Sequence, residues 1–350
     1  MAPLRRRLQL VATLLCALLL ALVAPLGHPA LALAAPIDAS AAVAEVTPGL
    51  VQITTRVDFQ GVVGNGTGIV LTPDGQVLTN RHVVQGANDI TAISMGNGRS
   101  YTADVLGYDR NEDVALLQLR GASGLPVAPI GDSNTLQQGQ PVVTIGNANG
   151  TGNPLTHEQG TVTSLNRSID AEDELTGSKF NLGGLIESST NLRAGDSGGA
   201  LVNAEGEIVG MNAAATLNFK MNGESTPGGA GFAIPINKAI DIANQIRNGA
   251  ASDVVHLGPS AMLGVGISAD GASDSGLEVK SVLRGGPADL AGLRPGDTIA
   301  SVDGTPINST NQLTGLLDQR YPGAVIDLNW IDANGVGRNA KVTLESGPVS

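Results

Sequence analysis

Residues 191–203 read NLRAGDSGGALVN, from Asn191 to Asn203. This is a polar, glycine-rich turn with one serine at its centre, and it runs straight into the apolar Ala200-Leu201-Val202. Two readings fit the stretch taken alone. In the plain one it is a hairpin turn. In the other, Ser197 is a nucleophile, and Gly195, Gly198 and Gly199 let the backbone bring amide hydrogens to a reacting carbonyl. The second reading makes a demand on the rest of the chain, which must then supply a base and an orienting carboxylate.

Four histidines are available. His28 falls in the N-terminal leader. His157 in PLTHEQG and His256 in VVHLGP have loop-like or linker-like surroundings that suit solvated or capping roles. His82, in VLTNRHVVQG, differs from them, because it ends a strand-like run and opens a short apolar turn. For the acid, YDRNEDVALLQL offers Asp109, Glu112 and Asp113. Asp113 directly precedes the apolar run Val114 to Leu117. A carboxylate there is costly unless hydrogen-bonded, and an imidazole N–H would satisfy it. Asp109 and Glu112 read as solvated. The order is then His82, Asp113, Ser197, with spacings of 31 and 84 residues. It is the order of chymotrypsin-type barrels, not of α/β-hydrolases or subtilisins.

The composition agrees with a β architecture. The 350 residues suffice for two or three domains, and 47 glycines punctuate many short Val/Ile/Thr-rich runs. Strand-like runs start at Leu50, Gly66, Gln76 and Asp113, and again at Pro141, Gly160 and Gly206. They fall about half before and half after Leu119, which suits one barrel for base and acid and another for the nucleophile. Pro73-Asp74-Gly75 marks a hairpin between two of them. INKAIDIANQIRNG breaks the pattern: Ile236, Ile240, Ala243 and Ile246 recur three to four apart, and Asn248-Gly249 closes the run, so an amphipathic helix is expected.

The first 34 residues read as a signal peptide. Arg5-Arg6-Arg7 precede the apolar Leu8 to Leu20, and Ala32-Leu33-Ala34 fits a cleavage site that would start the mature chain near Ala35. An uncleaved anchor is the other reading, and the arginines leave general and twin-arginine export both open. Beyond the leader no apolar run approaches about 18 residues, so no further spanning helix is expected. The formal charge is −12; without the three leader arginines, 17 basic residues face 32 acidic ones, a balance of −15. Such a balance argues against nucleic acid or an anionic membrane as partner. The single cysteine, Cys16, lies in the leader, so a mature chain holds no disulfide, cysteine nucleophile or cysteine-based metal site. No HExxH or clustered Cys/His site is present, so neither a metal nor another cofactor is expected.

TNRHVV, DVALLQL and GDSGGALVN resemble the three catalytic motifs of the high-temperature-requirement (HtrA/Deg) serine proteases. The connectors GDSNTLQQGQPVVTIGN from Gly131 and GFAIPINKAI from Gly231 are similar as well. The resemblance implies a mainly β fold of two six-stranded β-barrels of the chymotrypsin/trypsin type over residues 35–249. His82 would be general base, Asp113 its orienter and Ser197 the nucleophile. The oxyanion hole would come from the backbone of Gly195, Asp196 and Ser197, and the primary pocket from Asn191, Leu192, Gly231 and Phe232. With no carboxylate at Asn191, cleavage after small or medium aliphatic residues is expected. The chain departs from the commoner family pattern in ESSTNLRAG, with Ser189 and Arg193, and in Asp196, where many members carry asparagine. In the chymotrypsin group that aspartate pairs with a freed N-terminal amine, which raises an activation step here.

After a linker at 250–260, MLGVGI from Met262 and VLRGGPADLAGLRPGDTIASVDGTPI from Val282 resemble a bacterial PDZ domain, a small α+β unit over residues 261–348. Strands at 277–282, 298–302 and 325–330, and a helix after Ser309, fit it. The resemblance implies capture of a peptide C-terminus by backbone amides near Leu263, Gly264 and Val265, beside the helix bearing Leu313. Family members commonly form trimers through aromatic residues near the mature N-terminus, where this chain offers Phe59 first. The implied partners are therefore unfolded or exposed polypeptides, peptide C-termini and two further copies of the chain. The rival reading is a chaperone-like or peptide-binding protein with a latent protease domain.

Overall fold

The computed structural model describes residues 38–57, 61–172, 179–213, 220–221, 224–225, 230–273 and 276–349. The leader with its cleavage site, and Phe59, lie outside the described residues.

Six strands form the first barrel: β1 (Leu50–Val57), β2 (Val62–Val70), β3 (Gln76–Thr79), β4 (Asp89–Ser94), β5 (Ser100–Asp109) and β6 (Val114–Leu119). They follow one another as β5-β4-β1-β2-β3-β6, and a β5–β6 ladder closes the circle. Closure pairs every strand on both sides and leaves no edge to aggregate. Val51, Ile53, Val77, Leu117 and Leu119 fill the interior. Space there is short, because a methyl group on Gly68 would lie 2.5 Å from Val77 Cγ1. The Pro73-Asp74-Gly75 turn joins β2 to β3, with Gly75 at φ 95°, a backbone region that glycine enters without strain.

The second barrel closes in the order β10-β11-β14-β9-β8-β7. Its strands are β7 (Pro141–Gly146), β8 (Thr156–Glu172), β9 (Lys179–Ser188), β10 (Ala200–Val202), β11 (Ile208–Asn212) and β14 (Gly231–Pro235), with a two-stranded hairpin of β12 (Lys220–Met221) and β13 (Glu224–Ser225) between the last two. Helix α1 (Ala39–Val46), capped by the Asp38 side chain, packs against β7; helix α2 (Arg81–Val84) follows β3; helix α3 (Ile236–Arg247) follows β14. Of the predicted stripe on α3, Ile236, Ala243 and Ile246 are buried and Ile240 is half-buried, while Ala239 and Ile242 complete the buried face. Gly249, at φ 68°, follows the Asn248 cap.

The C-terminal unit is an antiparallel sheet of β17 (Val265–Ser273), β18 (Gly276–Val282), β19 (Thr298–Val302), β21 (Val325–Ile331) and β22 (Gly337–Thr343), with β20 (Thr305–Pro306) paired to β19. A ladder of β16 (Ser260–Met262) with β23 (Glu345–Gly347) ties its two ends together. Helices α4 (Pro287–Ala291) and α5 (Thr310–Asp318) cover a core of Leu277, Ile299, Leu313, Leu328 and Trp330. Ser309 caps α5 by accepting the Gln312 N–H at 3.2 Å.

The stretch at 250–260, expected to be a linker, contains strand β15 (Val255–Leu257), which adds to β5 of the first barrel. This overturns the solvated role expected for His256. The ring is 5 % exposed and stacks between Tyr108 and Tyr321, at centroid distances of 5.2 and 4.8 Å. Its nitrogens lie 2.8 Å from the Asp318 carbonyl and 3.1 Å from that of Pro259. His157 likewise sits in a strand, β8, opposite Ile145, with its side chain exposed.

Candidate active site

Asp113 immediately precedes β6, with its backbone in the left-handed region at φ 53° and its side chain 5 % exposed. Its Oδ1 accepts the His82 backbone N–H at 2.9 Å, and its Oδ2 lies 2.7 Å from His82 Nδ1. The Asp113 carbonyl accepts from the Arg81 N–H at 3.2 Å and from Asn80 Nδ2 at 3.1 Å. Four bonds therefore hold this one residue to the start of α2, which meets the cost of burying a carboxylate at a strand mouth. A carboxylate can only accept, so Nδ1 carries the ring proton and Nε2 is the basic nitrogen.

Of the two acids expected to be solvated, Asp109 is buried and Glu112 keeps about a third of its side chain exposed. Asp109 is 3 % exposed, and burial pushes its carboxyl above the usual range, opposed by N–H donation from Glu112 and Asn111. Glu112 is ion-paired with Lys238.

The Ser197 turn can be read peptide by peptide. The Ala194 carbonyl accepts from Asn149 N–H at 2.6 Å, and the Gly195 carbonyl from Thr67 Oγ1 at 2.8 Å and Asn147 N–H at 3.3 Å. The Asp196 carbonyl accepts from Gly199 N–H at 3.0 Å, and the Ser197 carbonyl from Thr67 N–H at 2.8 Å. Of the donors, Asp196 N–H goes to the Arg193 carbonyl and Gly198 N–H to that of Asn212. The N–H groups of Ala194, Gly195 and Ser197 have no acceptor among the described residues, and of these Gly195 and Ser197 are buried while Ala194 is exposed. Buried backbone donors are nearly always paired, so two open ones beside a serine hydroxyl are informative. Asp196 departs from the sequence expectation here, since its N–H is engaged inside the turn.

Gly195 stands at φ 97°, and a methyl group on it would lie 2.1 Å from the Asn147 carbonyl. On Gly198 it would lie 2.1 Å from the Thr67 carbonyl and 2.3 Å from Thr79 Oγ1. Gly198 thus admits the loop against β2 and β3, the strands that lead to His82, and Gly195 admits it against the turn after β7. The structure brings Ser197 to that side of the first barrel.

The Asp196 side chain faces its own barrel. Its Oδ2 accepts Arg193 N–H at 2.9 Å, and its Oδ1 lies 3.1 Å from Thr156 Oγ1. Burial raises its pKa, opposed by those two bonds. Among the described residues its partners are these internal groups.

The pocket residues divide. Asn191 is exposed and donates its N–H to Glu158 at 3.1 Å. This places a half-buried carboxylate where the sequence showed none, and no local pattern in THEQG announces it. Leu192 is buried; a methyl group on Gly231 would lie 2.4 Å from Thr190 Oγ1. Phe232, expected as a wall, is 2 % exposed and belongs to the core. In the C-terminal unit, Leu313, expected beside the peptide site, puts its side chain into the core, as does Leu263, whose expected role lies in its backbone N–H. The N–H groups of Leu263 and Gly264 have no acceptor among the described residues. Val265 begins β17, the strand beside α5.

Residues 66–211 match the family described as trypsin-like peptidase domain, and residues 254–329 match the PDZ domain. The serine protease PepD of Mycobacterium tuberculosis is 34 % identical over 340 residues, 91 % of this chain and 70 % of that one. The chain belongs to the HtrA/Deg family of serine proteases. As a member it is a serine endopeptidase, with one PDZ domain after its two barrels. The periplasmic pH-dependent serine endoprotease DegQ of Escherichia coli is also 34 % identical, over 81 % of this chain and 60 % of DegQ. The putative serine protease HhoA of Synechocystis is 33 % identical, over 74 % and 65 %. The chain thus spans less than two thirds of either of these two longer relatives. No helix among the described residues is long and apolar enough to cross a membrane.

Proposed function

We propose that this HtrA/Deg chain cleaves unfolded or exposed polypeptide through an acyl-enzyme. Ser197 is the nucleophile, His82 the general base and Asp113 its orienter. The pair of buried open N–H donors at Gly195 and Ser197, in a turn whose carbonyls from Ala194 to Ser197 are all committed, carries this reading. The Ser197 hydroxyl gives its proton to His82 Nε2 as the oxygen attacks the scissile carbonyl. The oxyanion draws on the two donors, each worth roughly 3 kcal/mol in such sites. The imidazolium, stabilised by Asp113, passes the proton to the leaving amine. Water then repeats the sequence on the acyl-enzyme and restores Ser197.

The first subsite takes small or medium aliphatic side chains, bounded by Leu192 and the closed Thr190–Gly231 wall. A cleavage profile dominated by Arg or Lys overturns this and points to Glu158. The PDZ domain binds peptide C-termini through the amides of Leu263, Gly264 and Val265 and so recruits substrate. The protein works outside the cytoplasm after removal of the leader near Ala34, consistent with relatives named as periplasmic, and it assembles as a homotrimer.

The test is to incubate mature protein with unfolded casein, with and without a fluorophosphonate, and to locate the adduct by mass. Casein should be cut, and one adduct should sit on Ser197. Ser197→Ala should lose about 10⁶-fold in turnover. Hydrolysis persisting within a factor of ten would remove Ser197 as nucleophile and leave a peptide-holding protein.

A further inference from the structure

We infer that Thr67, on strand β2 of the first barrel, is a positioning residue that holds the oxyanion donors of the second. The inference rests on the reading of Ser197 as nucleophile. Thr67 is 0 % exposed and makes four bonds with three of its groups. Its N–H donates to the Ser197 carbonyl at 2.8 Å. Its hydroxyl donates to the Gly195 carbonyl at 2.8 Å and accepts Asn147 N–H at 3.0 Å. Its carbonyl accepts from Thr79 Oγ1 at 2.7 Å. A single hydroxyl thus joins the nucleophile turn to the Asn147–Gly150 turn, whose Asn149 N–H holds the Ala194 carbonyl.

The consequence is directional. In a trans peptide the carbonyl and the following N–H point opposite ways. The Gly195 N–H shares its peptide with the Ala194 carbonyl, held by Asn149, and Thr67 holds the carbonyl on the other side of the same residue, so Gly195 is fixed from both peptides that flank it. Without the Thr67 hydroxyl the Gly195–Asp196 peptide keeps the Asn147 bond and the Asp196 N–H bond to Arg193, but it loses the shortest of its three anchors and its link to β2. The neighbouring residue extends the same control to the base: a methyl group on Gly66 would lie 2.5 Å from Val83 Cγ1, next to His82. One short segment of β2 thus touches both the helix of the base and the turn of the nucleophile. Preorganised donors contribute most to the transition state, so a fault in their aim appears in turnover more than in substrate binding.

The test compares Thr67→Val, which keeps the shape and removes the hydroxyl, with Thr67→Ser, which keeps the hydroxyl. Active sites are counted in the full-length mature chain by fluorophosphonate labelling and intact mass, and rates are expressed per labelled site. Thr67→Val should lose about 10- to 100-fold in kcat with KM within about twofold, and Thr67→Ser should return to within about threefold of the parent. A peptide boronate should lose affinity in the valine variant in parallel with kcat/KM, while a product peptide should not. Should valine prevent folding, Thr67→Ala is measured in the same way. Unchanged kcat per labelled site in the hydroxyl-free variant, or a rise in KM alone, overturns the inference. A parent chain that takes no label at Ser197 instead overturns the nucleophile reading beneath it.

Discussion

Asp113 and Asp196 are both buried carboxylates, and they predict opposite things. Asp113 gives both oxygens to His82, so Asp113→Asn should leave the fold intact and cost about 10⁴ in kcat at neutral pH, through the wrong ring tautomer. A pre-steady-state burst assay on the asparagine variant checks this. Asp196 has no such ring to orient, and burial raises its pKa. Between the ordinary carboxylate value and that raised value the native state holds more protons than the unfolded chain, so Asp196 makes stability fall as pH rises through the window. Asp196→Asn keeps an acceptor for Arg193 N–H and offers a donor to Thr156 Oγ1, which itself lies 2.9 Å from the Gly146 carbonyl. The variant should therefore melt higher than the parent above the window, with the difference shrinking as pH falls through it. Melting curves from pH 4 to pH 8 measure the effect, and a constant difference would show that Asp196 is not its source.

Strand β15 and helix α5 form the next scale. Tyr108 Oη lies 3.0 Å from Asp318 Oδ1 and 2.8 Å from Ser260 Oγ, and Arg110 reaches Asp318 at 3.0 Å and Thr314 at 2.7 Å. With His256 stacked between two tyrosines, these contacts fasten helix α5 of the PDZ domain to the first barrel, with Arg110 three residues from Asp113. His256→Ala removes two hydrogen bonds and two ring contacts, and it should cost about 2–4 kcal/mol of stability. It should also speed limited proteolysis between residues 250 and 260. Arg110 and Asp318 are about four-fifths buried or more as side chains, so a double-mutant cycle should return a coupling near 1 kcal/mol, at the upper end for an ion pair not wholly removed from water. A coupling of zero would mean that the stacked rings alone hold the contact.

Across the whole molecule, Val349 returns to the first barrel beside the helix that bears His82. Val349, 5 % exposed, joins the core of the first barrel; its carbonyl accepts Gly86 N–H at 2.7 Å, and it bridges Gln85 in parallel register just beyond α2. Val349→Asp should destabilise the first barrel by about 2–3 kcal/mol, because a charge would replace a core methyl pair. Hydrogen exchange should show the loosening at residues 81–86, and a loss confined to residues 325–349 would contradict this placement. The sequence by itself determined much of the frame. Short Val/Ile/Thr-rich runs specified β1, β2, β3, β6, β7, β8 and β11, a 3.6-residue stripe specified Ile236–Arg247, and the order of His82, Asp113 and Ser197 suited one barrel for the first two and another for the third. Each of these is a local pattern or a linear order, and such signals survive in one dimension. Only the tertiary structure decided that Asp109 and His256 are buried, that residues 255–257 extend a barrel, that Glu158 stands beside Asn191, and that Thr67 grips Ser197 from 130 residues away. The physical reason is that burial and hydrogen-bond partnership belong to pairs of groups brought together by barrel closure, and a threonine, histidine or glutamate carries no mark in its own neighbourhood of the partner that folding will supply.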